Sequence, residues 1–169
     1  MKIAVVSGGF DPIHSGHIAY LKSAAKDVDK LIVCLNSDAW LIQKKGQYFL
    51  PFNERKVILE NIAVVSEVID FEDDEIGSAI KGLKEIKSRY PQDEIFFCNG
   101  GDRDKNNIPE MALSGINFSF NVGGSVKKNS SSWILKEWSY PLTKRSWGNF
   151  YDLFKDDFVK VKELIVHPK

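Results

Sequence analysis

The 169-residue chain sets 23 Lys and Arg against 23 Asp and Glu, with 43% apolar and 27% charged residues. That is the composition of one ordinary globular domain, and it excludes intrinsic disorder and fibrous repeats. Zero net charge argues against a dedicated nucleic-acid binder, and no apolar run nears the ~18 residues of a membrane span, so neither nucleic acid nor a membrane is an expected partner.

The residues after Met1 lack a signal-peptide pattern, since Lys2 leads into a short apolar run that stops at Ser7. A cytoplasmic location is therefore expected. Cys34 and Cys98 each close an apolar, strand-like run. Two such cysteines predict buried free thiols, not a disulfide framework or a metal site.

Residues 3–6 are continuously apolar and rich in β-branched side chains, as in a central parallel strand. Gly8 and Gly9 then mark a turn. Ile18, Leu21, Ala24 and Ala25 recur at helical spacing over residues 16–26. A second strand is expected at 31–35, followed by a polar helix from about Ser37 that carries Trp40 and Leu41. Residues 44–51 form a loop. Asn53 is expected to cap a helix running to Ile62, with Val57, Ile58 and Ile62 facing inward. A third strand covers 67–70. Ile76, Ile80, Leu83 and Ile86 give the inner face of a helix that Pro91 ends. Strands at 94–98 and 116–122 follow, and residues 130–132 open a last helix reaching about Trp138.

This alternation predicts an α/β fold: a Rossmann-like, doubly wound, five-stranded parallel sheet with right-handed crossovers. Ligands in such sheets bind beyond the carboxyl ends of the strands. The segments to watch are 7–17, 36–45, 99–107 and 122–132. Pro141 marks a change of character. Beyond it Val159, Val161, Leu164 and Val166 interleave with Lys160, Lys162 and Glu163, the pattern of a β-hairpin. The expected organisation is a domain over 1–140 and a β-hairpin tail over 141–169.

The string Gly8-Gly9-Phe10-Asp11-Pro12-Ile13-His14-Ser15-Gly16-His17 runs from the first strand into a helix. Glycines there admit close approach of phosphates to the backbone. A helix N-terminus supplies unpaired N–H groups and partial positive charge. His14 and His17 are three apart, so both rings project from one side of the first turn. Two imidazoles can donate to phosphate oxygens as charge builds on them, and Gly16 keeps the turn slim. Gly-x-x-x-x-Gly-Lys is absent, so this is no Walker loop. Zinc binding by the histidine pair lacks a third ligand at metal spacing, and no metal ligand is assigned.

This string resembles the signature of the nucleotidylyltransferase superfamily, Gly-x-Phe-Asp-x-x-His-x-Gly-His. Asn36-Ser37-Asp38 resembles a segment of the sugar-phosphate nucleotidylyltransferases. Lys44 and Lys45 sit where those enzymes and the glycerol-phosphate cytidylyltransferases carry a basic loop. Glu54-Arg55 with Leu59 resembles their Glu-Arg-x-x-x-Leu helix, Gly100-Gly101-Asp102 their Gly-Gly-Asp, and Ser130-Ser131-Ser132 with Ile134 their Ile-Ser-Thr-Thr-x-Ile segment. The likeness runs from about residue 1 to 138.

The resemblance implies transfer of CMP or AMP from CTP or ATP to a sugar or polyol phosphate, with release of pyrophosphate. It assigns His14 and His17 to the α-phosphate and Lys44, with Lys45, to the triphosphate and acceptor. Arg55 is assigned to the acceptor phosphate or the phosphates between acceptor and nucleotide, residues 130–132 (Ser130, Ser131, Ser132) to the β- and γ-phosphates, and Gly100, Gly101 and Asp102 to the ribose or base. Gly8, Gly9, Phe10 and Gly16 shape the nucleotide site. Asp11 braces the loop, with a water-mediated contact to the metal as a further role. Mg²⁺ is expected to bridge the phosphates, and a homodimer is implied. Plainer roles stay open beside these: a solvated loop for Lys44 and Lys45, a surface ion pair for Arg55, an N-cap for Ser130, a turn for Gly100 and Gly101. Two other readings also stand, a nucleotide-binding module without turnover and a coenzyme adenylyltransferase.

The chain departs from the cytidylyltransferase pattern at Ser125, where that family carries an Arg. A bidentate phosphate fork is missing there, and Lys127 and Lys128 offer only point charges. The tail from Lys144 to Pro168 resembles the opening of a mannose-6-phosphate isomerase cupin domain. Residues 141–169 are too few for a barrel of about eight strands. A fragment of a longer protein, a dimer arm and a simple packed hairpin all remain open.

Overall fold

The computed structural model describes residues 1–101, 103–124, 130–138, 140, 142–155 and 157–167, with the backbone alone at 136–138, 154 and 155. Strand β1 (Lys2–Gly8) lies at the centre, its residues Ile3, Ala4, Val5 and Val6 fully buried. On one side it pairs with β2 (Lys30–Leu35), which pairs with β3 (Glu67–Asp70). On the other it pairs with β4 (Glu94–Cys98), which pairs with β5 (Asn117–Ser119). All four pairings are parallel, in the order β3-β2-β1-β4-β5. The Rossmann-like five-stranded sheet is thus as expected.

Period-two alternation sends neighbouring residues to opposite faces. Ile3, Val5, Ile32, Cys34 and Phe97 share one core with Leu83 and Ile86 of α4 (Ile80–Arg89). Ala4, Val6, Val33 and Leu35 share the other with Leu21 of α1 (Ser15–Ala24) and Leu59 of α3 (Phe52–Glu60). Cys34 and Cys98 are buried and free. The chain steps outward from β1 to β3 and then returns past β1 to β4. The carboxyl ends of β1 and β4 therefore flank the reversal of strand order, where such sheets hold ligands.

Several local expectations are corrected. Lys44 and Lys45 belong to the last turn of α2 (Asp38–Lys45), not to a loop. Gly46 closes that helix at φ 84, a left-handed stop that glycine adopts readily. Helix α3 is preceded by Pro51, not capped by Asn53, and Val57 is 56% exposed. Its inward positions are Arg55 and Leu59, because the Arg55 guanidinium has its partners inside. Ile76 is 68% exposed and precedes α4. Asp74 accepts from both the backbone N–H and the hydroxyl of Ser78, and that local turn delays the helix start. Strand β5 is shorter than expected, since Asn121, Gly123 and Gly124 all take positive φ and turn the chain away.

The chain divides into two compact units, 1–131 and 132–169. In the second, β6 (Leu142–Arg145), β7 (Gly148–Lys155) and β8 (Lys160–Val166) form an antiparallel sheet in that order. That is one strand more than a hairpin. Phe150 is its buried anchor, with the Lys162 ammonium 3.6 Å from the ring centroid and Trp147 stacked at 6.3 Å.

Candidate functional site

The glycine loop leaves β1 at the switch point and enters α1 through His14. His14 is the N-cap residue of that helix, and its Nδ1 accepts from the backbone N–H groups of Gly16 (3.1 Å) and His17 (3.4 Å). A nitrogen that accepts two N–H bonds is unprotonated, so in the neutral ring the proton sits on Nε2. The His17 ring stacks on that of His14, centroids 3.8 Å apart, and meets the edge of Phe10 at 5.0 Å.

His17 is held uncharged. Burial first, then the neighbouring His14 and Lys45, push its pKa down to about 3. Its Nδ1 is buried without a hydrogen-bond partner.

Asp11 is buried and both its oxygens are engaged. They accept from the N–H groups of Phe49 (2.6 Å) and Leu50 (2.7 Å). The carboxylate thus ties the glycine loop to the segment between α2 and α3. Lys45 reaches the same loop, donating from Nζ to the Asp11 carbonyl at 3.1 Å, and burial lowers its pKa. Lys44 points elsewhere: its Nζ lies 4.3 Å from the centroid of the Trp40 ring.

Arg55 is fully buried and lies beneath the loop. Nε donates to the Leu50 carbonyl (3.0 Å), Nη1 to the carbonyls of Gly9 (2.7 Å) and Asn36 (2.9 Å), and Nη2 to Asp38 Oδ1 (2.6 Å). In this arrangement the guanidinium joins the ends of β1 and β2 to α2 and α3, and it does not lie on an open surface.

Gly8 ends β1, its carbonyl accepting from Asn36 N–H at 3.1 Å. Gly9 is the tight position, because a Cβ there would lie 2.6 Å from Leu41 Cδ2. Gly9→Ala is expected to destabilise the fold by about 1–3 kcal/mol, read from the denaturant midpoint. An unchanged midpoint would mean that Leu41 yields freely.

Beyond β4, Asn99 is buried and bridges to β5 through Ser119 and Val122. At Gly100 a Cβ would meet the Val122 carbonyl at 2.9 Å and the Tyr20 ring at 3.1 Å. Gly101 follows with φ +69 and open space above it. Ser131, the first residue of α5 (Ser131–Trp138), donates from Oγ to the Pro12 carbonyl at 3.0 Å. Residues 130–131 therefore sit beside the histidine loop. Ser132 is exposed and belongs to the second compact unit. Asp102, Ser125, Lys127 and Lys128 lie outside the described residues.

The structure thus gathers Gly8, Gly9, Phe10, Asp11, His14, Gly16, His17, Lys45 and Ser131 around one loop, with Arg55 behind it. Sequence reasoning passed over Tyr20, which donates to the Cys98 carbonyl at 2.6 Å, and Glu110. Neither carries a local sequence signal, since each earns its place from a partner far along the chain. Among the described residues no group of three or more His, Cys, Asp or Glu is placed to hold a metal ion, and no helix is long and apolar enough to cross a membrane.

A family model described as cytidylyltransferase-like matches residues 5–118. The chain is 37% identical over 112 residues to the bifunctional protein HldE of Enterobacter sp. strain 638, covering 60% of this chain and 24% of that protein. It is 37% identical over 84 residues to HldE of Shigella sonnei, covering 48% and 18%. The chain therefore spans about a quarter or less of these relatives. Among solved structures, a lipopolysaccharide core biosynthesis protein from Thermoplasma volcanium superimposes with a TM-score of 0.52 at 23% identity, over 77% of this chain and 99% of that one. At that identity the likeness speaks for the fold.

Proposed function

Because the chain belongs to the cytidylyltransferase-like family, we propose that it transfers a CMP or AMP group from CTP or ATP to the phosphate of a sugar or polyol phosphate. The observation that carries this reading is the stacked His14–His17 pair on the first turn of α1, directly after the glycine loop. An acceptor phosphate oxygen attacks the α-phosphorus in line. The bond from that phosphorus to the bridging oxygen breaks, and pyrophosphate leaves with the electron pair. No covalent intermediate on the protein is needed, so catalysis is positioning and charge stabilisation.

Each part of the site has a role in that step. The imidazole of His14 donates from Nε2, and neutral His17 adds a second donor through its one ring N–H. Both act on the α-phosphate oxygens, where negative charge grows. Lys45 follows the triphosphate across the loop. Ser130 and Ser131, beside the histidine loop, take the β- and γ-phosphates. Arg55 and Asp11 are positioning residues that hold the loop in register. Mg²⁺ would be carried by the triphosphate, since both Asp11 oxygens are already engaged and no group of three or more His, Cys, Asp or Glu among the described residues is placed to hold it, and it would neutralise charge on the departing pyrophosphate.

The test is pyrophosphate release with CTP and with ATP, each against a panel of sugar and polyol phosphates in the presence of Mg²⁺. Release with one nucleotide–acceptor pair identifies the reaction. Nucleotide binding without release from any pair would favour a module without turnover and overturn the transferase reading.

A further inference from the structure

Backbone pairing of β1 with β4 ends at Val5 and Phe97. Past that point the two strands part, and the histidine loop leaves one while Asn99, Gly100 and Gly101 leave the other. A ligand that spans the two needs their separation fixed, and no ladder bond fixes it there.

A side chain of α1 does so instead. Tyr20 lies three residues beyond His17, so the two share one side of the helix. Its Oη donates to the carbonyl of Cys98, the last residue of β4, at 2.6 Å. Its Cδ2 and Cε2 stand 3.1 Å from where a Cβ of Gly100 would lie. Burial raises the phenol above its ordinary value, so the hydroxyl stays a donor at neutral pH.

The same helix grips the turn after β5. The Cα of Tyr20 would be 3.2 Å from a Cβ on Gly123, and Ser23 Oγ accepts from the Gly123 N–H at 3.2 Å. The turn in its own way closes on β4. Val122 N–H donates to the Asn99 carbonyl at 3.0 Å, and the Val122 carbonyl lies 2.9 Å from the position of a Gly100 Cβ. Gly100 is therefore enclosed by the tyrosine ring on one side and the turn on another, while a Cβ on Gly101 would meet nothing within 4 Å. One rigid helix carries the histidine pair at its start and, a turn later, the contact that sets the strand end.

We infer that Tyr20 is a positioning residue: through the Cys98 carbonyl and Gly100 it sets the distance from the histidine pair to the Gly100–Gly101 backbone, and so the affinity for a nucleotide that spans them. The nucleotide's part rests on the transferase reading above. The hold on the strand end does not.

The test is Tyr20→Phe, which keeps the ring over Gly100 and removes the hydroxyl alone. Titration calorimetry is expected to show CTP or ATP, whichever the parent binds, held about tenfold more weakly. The KM for that nucleotide is expected to rise alike, with kcat and the acceptor KM within about threefold, because the histidine pair is untouched. In the ligand-free chain, hydrogen exchange at the Gly100 and Gly101 amides is expected to quicken. Ile86→Val is the control, since it loosens the core on the opposite face of the sheet. It is expected to lower the thermal midpoint and to leave nucleotide affinity as in the parent. Unchanged nucleotide affinity in Tyr20→Phe would overturn the inference. So would an equal loss in Ile86→Val, or a fall in kcat with the nucleotide KM unmoved. Weaker nucleotide binding by Tyr20→Phe in a chain that releases no pyrophosphate with any acceptor would overturn the transferase reading and leave the role of Tyr20 standing. A parent that binds neither CTP nor ATP would overturn both.

Discussion

His17→Ala is expected to lower kcat for pyrophosphate release by on the order of 10²–10³, the loss seen when one donor to a developing oxyanion is removed. KM for both substrates is expected to change much less, because the ring acts where charge grows in the transition state. The same ring sets an acid limit on the fold. Its pKa in the folded chain is about 3, below the ordinary 6.5, because of burial and the nearby His14 and Lys45. Between those two values the unfolded chain binds a proton that the folded chain refuses. The stability His17 contributes is therefore complete above about pH 6.5 and is lost as the pH falls toward 3. Thermal midpoints followed down that range are expected to drop less steeply for His17→Ala than for the parent. A kcat within threefold of the parent, with the fold intact by circular dichroism, would remove His17 from the chemistry.

Much of this was legible in the chain because the signals are local. The apolar run at Ile3 to Val6 and the glycine-histidine string need no partner to be recognised, since spacing alone puts them on a central strand and the helix after it. The alternation predicts the parallel sheet, while the order β3-β2-β1-β4-β5 is read from the structure. What stayed hidden depends on contacts between distant residues. Val57 and Arg55 stand two apart on one helix, and hydropathy puts the valine inside. The structure buries the arginine, because four of its N–H groups find partners 5 to 46 residues away in sequence. Lys44 and Lys45 are adjacent and equivalent as letters. Only the phase of α2 sends Lys45 to the Asp11 carbonyl and Lys44 over Trp40. Glu110 looks like an ordinary surface acid until the Ala79 N–H is placed beside it.

Arg55→Ala is expected to destabilise the fold by about 3 kcal/mol, the low end for removing one member of a buried ion pair, because Asp38 keeps part of its surface in water. The change strips the Leu50, Gly9 and Asn36 carbonyls of a donor and leaves Asp38 Oδ1 without its guanidinium. Chemical denaturation followed by circular dichroism reads the loss directly. Arg55→Lys is expected to recover less than half of it, because one ammonium cannot reach carbonyls arrayed around a planar fork. Asp38→Asn is expected to lie between the parent and Arg55→Ala, since an amide oxygen still accepts from Nη2. The same series separates two roles for this residue. If Arg55 acts by joining the loop to the ends of β1 and β2, stability falls first and the kinetic defect appears in kcat, through a displaced histidine pair. If it instead takes a substrate phosphate, Arg55→Ala keeps its unfolding free energy within about 1 kcal/mol of the parent and raises the acceptor KM alone. The buried fork favours the first outcome: a guanidinium with four of its five N–H groups already bonded to protein has little left to offer a phosphate.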